Sequence, residues 1–150
     1  MAMTRRRHQT TQHSGFTLIE LMVVLAILGL LATFSWNSYQ QHVTRSRRAE
    51  GRAAVLQVLL QQERHHARDH SYRTFTPADT DAGTEFRRFS GDLEATSAYQ
   101  IAAAACPDAD LLTCVQVTAT PRPGVFTDPQ CGALSADTLG RRQPPGNGCW

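Results

Sequence analysis

The sequence predicts an α+β fold, with one long N-terminal α-helix packed on a small antiparallel β-sheet. Three observations carry that expectation. An apolar run from Phe16 to Trp36 leads into a helical period with no proline between residues 37 and 76. Two stretches of β-forming residues, at 99–104 and 112–119, follow in the second half. All four cysteines fall in the last third of the chain.

The apolar run comes first. It spans 21 residues, interrupted by Thr17, Glu20, Thr33 and Ser35. As a helix it would be about 31 Å long, enough to cross a hydrocarbon core. The 15 residues before it are polar, carry Arg5, Arg6 and Arg7, contain no acid and end at Gly15. A secretory signal would place its small-residue cleavage site after the apolar run. Here the distinctive sequence sits at the polar-to-apolar junction, so the apolar segment is expected to stay with the mature protein. The formal net charge of +2 is a property of this leader: after Gly15 there are 12 arginines against 13 acids. The overall basicity therefore gives no argument for a nucleic-acid partner.

Glu20 is the anomaly, because a carboxylate in a membrane-length apolar helix is costly unless neutralised. A cut after Gly15 would create an amino group on Phe16, one helical turn before Glu20, and leave the acid near the positive end of the helix dipole. The other reading is an acid at headgroup level with no specific pair. Gly15-Phe16-Thr17-Leu18-Ile19-Glu20-Leu21-Met22-Val23-Val24 closely resembles the class III signal of type IV pilins and type II secretion pseudopilins. The resemblance covers residues 14–34 strongly. It implies cleavage between Gly15 and Phe16 by a prepilin peptidase, N-methylation of Phe16, and contact of Glu20 with a neighbouring subunit's N-terminus during assembly. Other pilin subunits, the pilus assembly machinery and the inner membrane are the partners it implies. The location it implies is a single inner-membrane pass with a periplasmic domain, then an extracellular pilus. Many relatives carry a proline near Asn37; this chain has Trp36-Asn37-Ser38.

The expected organisation is a removable leader at 1–15, a transmembrane or filament-core helix at 16–36, an amphipathic periplasmic helix at 37–70, and a globular region at 71–150. In the second helical part Val43, Ala49, Ala53, Leu56 and Leu60 suggest the packed stripe, flanked by Val55 and Leu59. Residues 41–73 hold seven arginines and three acids. That basic face suits DNA, anionic lipid, acidic neighbours or plain solvation. His65, His66 and His70, with Asp69, have partial metal-ligand spacing, but nothing fixes a third ligand, and histidine is also favoured near a helix C-terminus. No metal or other cofactor is expected.

In the globular region, 71–96 is expected to be a connecting loop, and Pro107-Asp108-Ala109-Asp110 a turn. A third strand is expected around Cys131–Ser135, ending at Asp137-Thr138-Leu139-Gly140, giving three or four in all. Cys106, Cys114, Cys131 and Cys149 form an even, clustered set beyond a membrane segment, which suits two disulfides, with three pairings open. A zinc site is the rival, but the set contains no C-x2-C pair and no histidine follows His70. Ala119-Thr120-Pro121, Asp128-x-x-Cys131-Gly132 and Cys149-Trp150 resemble the C-terminal region of PilE-like minor pilins. That resemblance implies Cys106–Cys114 and Cys131–Cys149.

No catalytic constellation or glycine-rich phosphate loop is present, so an enzyme is not expected. The leading expectation is a minor subunit of a type IV pilus, supporting adhesion, twitching motility or DNA uptake. The alternatives are a type II secretion pseudopilin and a DNA-binding competence pilin using the arginine-rich helix or Arg141-Arg142. The pseudopilin reading calls for calcium-binding acidic loops. Asp128 and Asp137 lie in the corresponding region, separated by a cysteine and not in a compact cluster.

Overall fold

A computed structural model describes residues 16–79, 85–146 and 148–150, excluding the side chains of residues 32–37. Helix α1 spans Leu18–Asp69, followed by strands β1 (Tyr99–Ala105), β2 (Val115–Pro121), β3 (Leu134–Asp137) and β4 (Arg142–Gln143). The expected leader, Gly15 included, lies outside the described residues. The chain divides into two compact units after Tyr39.

In the N-terminal unit α1 begins with a reciprocal cap. The Thr17 N–H and hydroxyl donate to Glu20 Oε2 at 3.0 and 2.9 Å, and the Glu20 N–H donates to Thr17 Oγ1 at 3.3 Å. The spacing Thr-x-x-Glu is a capping box, which satisfies backbone donors that the first turn leaves unpaired. Phe16 precedes the helix and is 87% exposed, and the large apolar side chains from Leu18 to Leu31 are exposed as well. Among the described residues no helix is long and apolar enough to cross a membrane. The last five residues of the expected span, 32–36, have side chains outside the described set.

In the C-terminal unit the buried face of α1 carries Arg48, Gly51, Ala54, Val55, Val58 and Gln62. This corrects the expected stripe: Leu56 and Leu60 are 47% and 53% exposed, while Ala49 and Ala53 are exposed too. The apolar residues of this segment occupy two opposed faces, and the face that packs on the sheet is the more polar in sequence. Gly51 explains the choice. A Cβ at that position would lie 3.0 Å from two carbons of the Tyr99 ring, so the absent side chain lets the ring sit against the helix backbone. The helix ends at Asp69, where His70 turns left-handed (φ 57°) and its N–H donates to the His66 carbonyl.

The sheet is an antiparallel meander in the order β1-β2-β3-β4. Its register pairs Ile101 with Ala119, Ala103 with Val117, and Val117 with Ala136. Strict alternation puts Tyr99, Ile101, Ala103, Val115, Val117, Ala119, Leu134 and Ala136 in one core with Ala54, Val55 and Val58. The free edge of β1 is closed by the preceding segment, through bridges from Phe75 to Ala103 and from Phe89 to Gln100. Closing an edge in this way removes a template for unwanted pairing. β2 starts at Val115, later than expected, because Asp110 organises a turn through Leu112–Cys114: its carboxylate accepts from the Leu112 N–H and its carbonyl from the Cys114 N–H. β3 begins at Leu134, later than expected, because Asp128 holds the Cys131 and Gly132 N–H groups in a turn, and it ends at Asp137 as expected. Cys106 is bonded to Cys114 across the β1–β2 connection, and Cys131 to Cys149 across the C-terminal segment.

Candidate functional site

The motif residues Phe16, Thr17 and Glu20 stand together at the start of α1. Glu20 is exposed, and its hydrogen bonds run to Thr17. The signal for the capping box is the spacing Thr17-x-x-Glu20, although Glu20 in sequence draws attention for its charge and its expected assembly contact.

The C-terminal unit contains an anchor that sequence reasoning missed. Arg48 Nε and Nη2 reach Asp128 Oδ2 and Oδ1 at 2.6 Å each, with both side chains buried. Arg48 also donates to Gln130 Oε1 at 3.1 Å. Asp128 accepts from the N–H groups of Gln130 and Cys131 at 3.2 and 3.0 Å, and the Tyr99 hydroxyl lies 3.4 Å away. Burial pushes the Asp128 carboxyl up, but the Arg48 guanidinium and these backbone donors outweigh it and hold the carboxyl below the usual range. One carboxylate thus fixes the helix, the central tyrosine and the start of the Cys131–Cys149 loop. No local spacing announces such a pair.

Asp137, the second acid of the region that the pseudopilin reading calls on, is also committed. Asp137 Oδ2 accepts from Arg141 Nε at 2.6 Å, and its other oxygen accepts from the Leu139 and Arg141 N–H groups. Asp137 lies close to Cys106 and Cys114, but those sulfurs are joined in a disulfide. The histidines do not converge. His65 faces Glu85 at 3.1 Å and stacks edge-on against Phe86, whereas His66 bonds the Leu112 carbonyl and stacks on Tyr72. His70 is taken up in closing the helix.

The arginines sort into three groups. Arg48, Arg68, Arg73 and Arg141 pair with carboxylates, Glu85 receiving both Arg68 and Arg73. Arg87, Arg88 and Arg122 donate to loop carbonyls and stitch the segments flanking β1. Arg45, Arg47, Arg52, Arg64 and Arg142 have no carboxylate partner among the described residues. Arg45, Arg64 and Arg142 are exposed. The Arg142 guanidinium lies over the Trp150 ring at 5.5 Å, and the Trp150 indole N–H is fixed on the Gln143 carbonyl at 2.7 Å. Arg47 sits over Phe126 at 5.8 Å. Unpaired guanidinium groups beside fixed aromatic rings suit phosphate and base contacts. Residues 37–150 hold 12 arginines and 12 acids, so any anion binding must be local.

Comparison with known proteins places this geometry. Residues 37–135 match the family described as "Type IV minor pilin ComP, DNA uptake sequence receptor". The chain belongs to that family. Residues 11–36 match the prokaryotic N-terminal methylation motif, so the two matches abut. The chain is 57% identical over 37 residues to the type IV major fimbrial protein FimA of Dichelobacter nodosus, covering 25% of this chain and 23% of FimA. It is 56% identical over 36 residues to the fimbrial protein EcpC of Eikenella corrodens, covering 24% of each. The chain thus spans only about a quarter of the length of these curated relatives. A solved type IV pilin from Shewanella oneidensis is 26% identical, with a TM-score of 0.47, over 71% of this chain and 96% of that one. This minor pilin has the long helix and antiparallel four-stranded sheet of an α+β pilin fold, and its family is one of structural subunits rather than enzymes.

Proposed function

We propose that a prepilin peptidase cuts this minor pilin between Gly15 and Phe16 and that the new amine is methylated. The mature chain waits in the inner membrane with its C-terminal unit in the periplasm, then enters a type IV pilus and displays that unit as a DNA-binding module. The observation that carries the reading is the pair of abutting matches, a methylation motif over 11–36 and a DNA-receptor pilin family over 37–135. The exposed apolar surface from Phe16 to Leu31 supports anchoring and later helix packing, because an apolar patch of this extent marks contact with lipid or protein. Leu56 and Leu60, turned away from the sheet, offer a second helix face to neighbouring subunits. Arg47, Arg52, Arg64 and Arg142, without carboxylate partners among the described residues, support the DNA role.

Two measurements test this. Mass spectrometry of sheared pili should find the mature chain beginning at methyl-Phe16, and Gly15→Val should leave the leader attached. The purified mature chain in detergent should retard a labelled DNA duplex, with affinity falling steeply as salt rises, since each arginine–phosphate contact releases a counterion. Retardation unaffected by salt, or none at low salt, would refute the DNA role while leaving the pilus role standing.

A further inference from the structure

The anchor at Arg48 forms the floor of a groove of about 440 Å³ between α1 and the segment after β2. Gln41, Thr44 and Arg45 line it from the helix, and Gln130 lines it from the opposite side. These helix positions and Arg48 follow an i, i+3, i+4, i+7 spacing, so one face presents all four. The Arg48 charge is cancelled by Asp128, which leaves Arg45 as the one uncompensated charge among the described lining residues. Around it stand carboxamides and a hydroxyl.

This is a setting for one anionic group with hydroxyls attached. The volume suits a small ligand. A DNA duplex is held by rows of cations, one per phosphate, and this groove offers a single free guanidinium. A choline headgroup would need an aromatic cage or a free carboxylate, and the described lining has neither. The sequence position narrows the source. The groove begins four residues after Trp36, where the apolar run ends, and just after Tyr39. Tryptophan and tyrosine favour membrane interfaces, and a long arginine side chain can reach a headgroup phosphate from beyond them.

We propose that this groove holds the phosphoglycerol headgroup of an anionic phospholipid while the chain waits in the membrane for assembly. The proposal rests on the membrane anchoring proposed above. Arg45 takes the phosphate, and Gln41, Thr44 and Gln130 take the glycerol hydroxyls. The contact is given up when the chain leaves lipid for the filament.

The test is native mass spectrometry of the full mature chain released from micelles doped with phosphatidylglycerol or with phosphatidylcholine. Wild type should retain one phosphatidylglycerol, preferred over phosphatidylcholine by roughly fivefold, the ratio expected of one arginine at an anionic surface. Arg45→Gln should abolish the preference, and Arg64→Gln, an exposed arginine outside the groove, should keep it. Equal retention of both lipids, or equal loss in both variants, overturns the proposal. Retention of free glycerol phosphate as tight as that of the lipid, or displacement of lipid by a short duplex with Arg45-dependent duplex binding, overturns the lipid assignment. Membrane fractionation of the same wild-type chain reads the anchoring separately: a chain found in the membrane fraction that shows no lipid preference fails only the groove proposal.

Discussion

Arg48 on α1 and Asp128 in the segment between β2 and β3 are joined by a two-pronged ion pair across 80 residues of sequence. Each is buried, so neither can turn to water if the other is lost. Arg48→Met should therefore cost about 3–5 kcal/mol, as removal of one partner from a buried pair does. Arg48→Met with Asp128→Leu should recover most of that loss, because no charge is then stranded. Urea unfolding of the four forms in detergent measures both. A double variant no more stable than the single ones would mean that the pair acts through something other than charge.

The same pair sets an acid dependence. The Asp128 carboxyl is held below the usual range in the folded protein. Its contribution to stability is complete above the unfolded value of about 3.9 and is lost as pH falls through the lower folded value. Arg48→Met should weaken that acid-side loss, because it removes the main group that lowers the folded value. Unfolding midpoints measured downward from pH 5 test this; parallel curves for wild type and variant would contradict it.

Gly51 lets the helix backbone come close to the Tyr99 ring. Gly51→Ala should improve helix propensity by about 1 kcal/mol, yet its Cβ would meet the Tyr99 ring at 3.0 Å. The ring is fully buried and has Phe126 and Asp128 at its sides, so it has little room to move. Overpacking should win, with a net loss of about 1–2 kcal/mol. Tyr99→Leu should turn the same Gly51→Ala change neutral or favourable. Thermal unfolding of the cycle decides it.

These relationships show which parts of the molecule could be read from sequence. The long helix, the first two strands and the N-terminal methylation motif rest on local periods and local residue types, and they were legible. The buried face of the helix was not. Leu56 and Leu60 gave the stronger apolar signal, but what chooses the face is the fit of Gly51 to Tyr99, 48 residues apart. The Arg48–Asp128 pair was hidden for the same reason, since Arg48 in sequence is one of seven arginines between residues 41 and 73. The strand start at 115 moved because the turn made by Asp110 takes residues that β-propensity alone assigns to a strand, and the start at 134 moved because Asp128 holds the Cys131 and Gly132 N–H groups in a turn.

The disulfides join segments whose loosening would have different reach. Non-reducing peptide mapping of pili should recover Cys106 with Cys114 and Cys131 with Cys149. Replacing Cys131 and Cys149 by serine should cost about 3 kcal/mol in the chain-entropy account of an 18-residue loop. It should also disturb the Arg48 site, because the Cys131 N–H bonds Asp128 and Arg48 contacts the Gly148 carbonyl. Replacing Cys106 and Cys114 should leave that site intact. A tryptophan emission change at Trp150 in the first variant and not the second is the expected signature.

Glu20 carries two tasks that a pair of variants can separate. In the uncut chain its carboxylate closes the capping box with Thr17. After cleavage the proposed amine on Phe16, of this chain or a neighbour, becomes a competing cation one turn away. Glu20→Gln keeps a side-chain oxygen that can accept from the Thr17 N–H and hydroxyl, so the cap should survive while the charge is lost. Glu20→Ala removes both. Insertion and cleavage should be spared in each, because an apolar helix inserts more readily without an acid and the proposed cut lies at the Gly15–Phe16 bond, away from the changed residue. Entry into pili should fall in both if, as proposed, that charge registers the incoming subunit against a neighbour's amine. A frayed first turn, seen as faster amide exchange at Glu20 and Leu21, should appear in Glu20→Ala alone. Processed protein is to be quantified in membranes and in sheared pili for both variants. If Glu20→Gln enters pili at the wild-type level and only Glu20→Ala is excluded, the residue acts through the cap, and the charge-pair account of assembly is wrong.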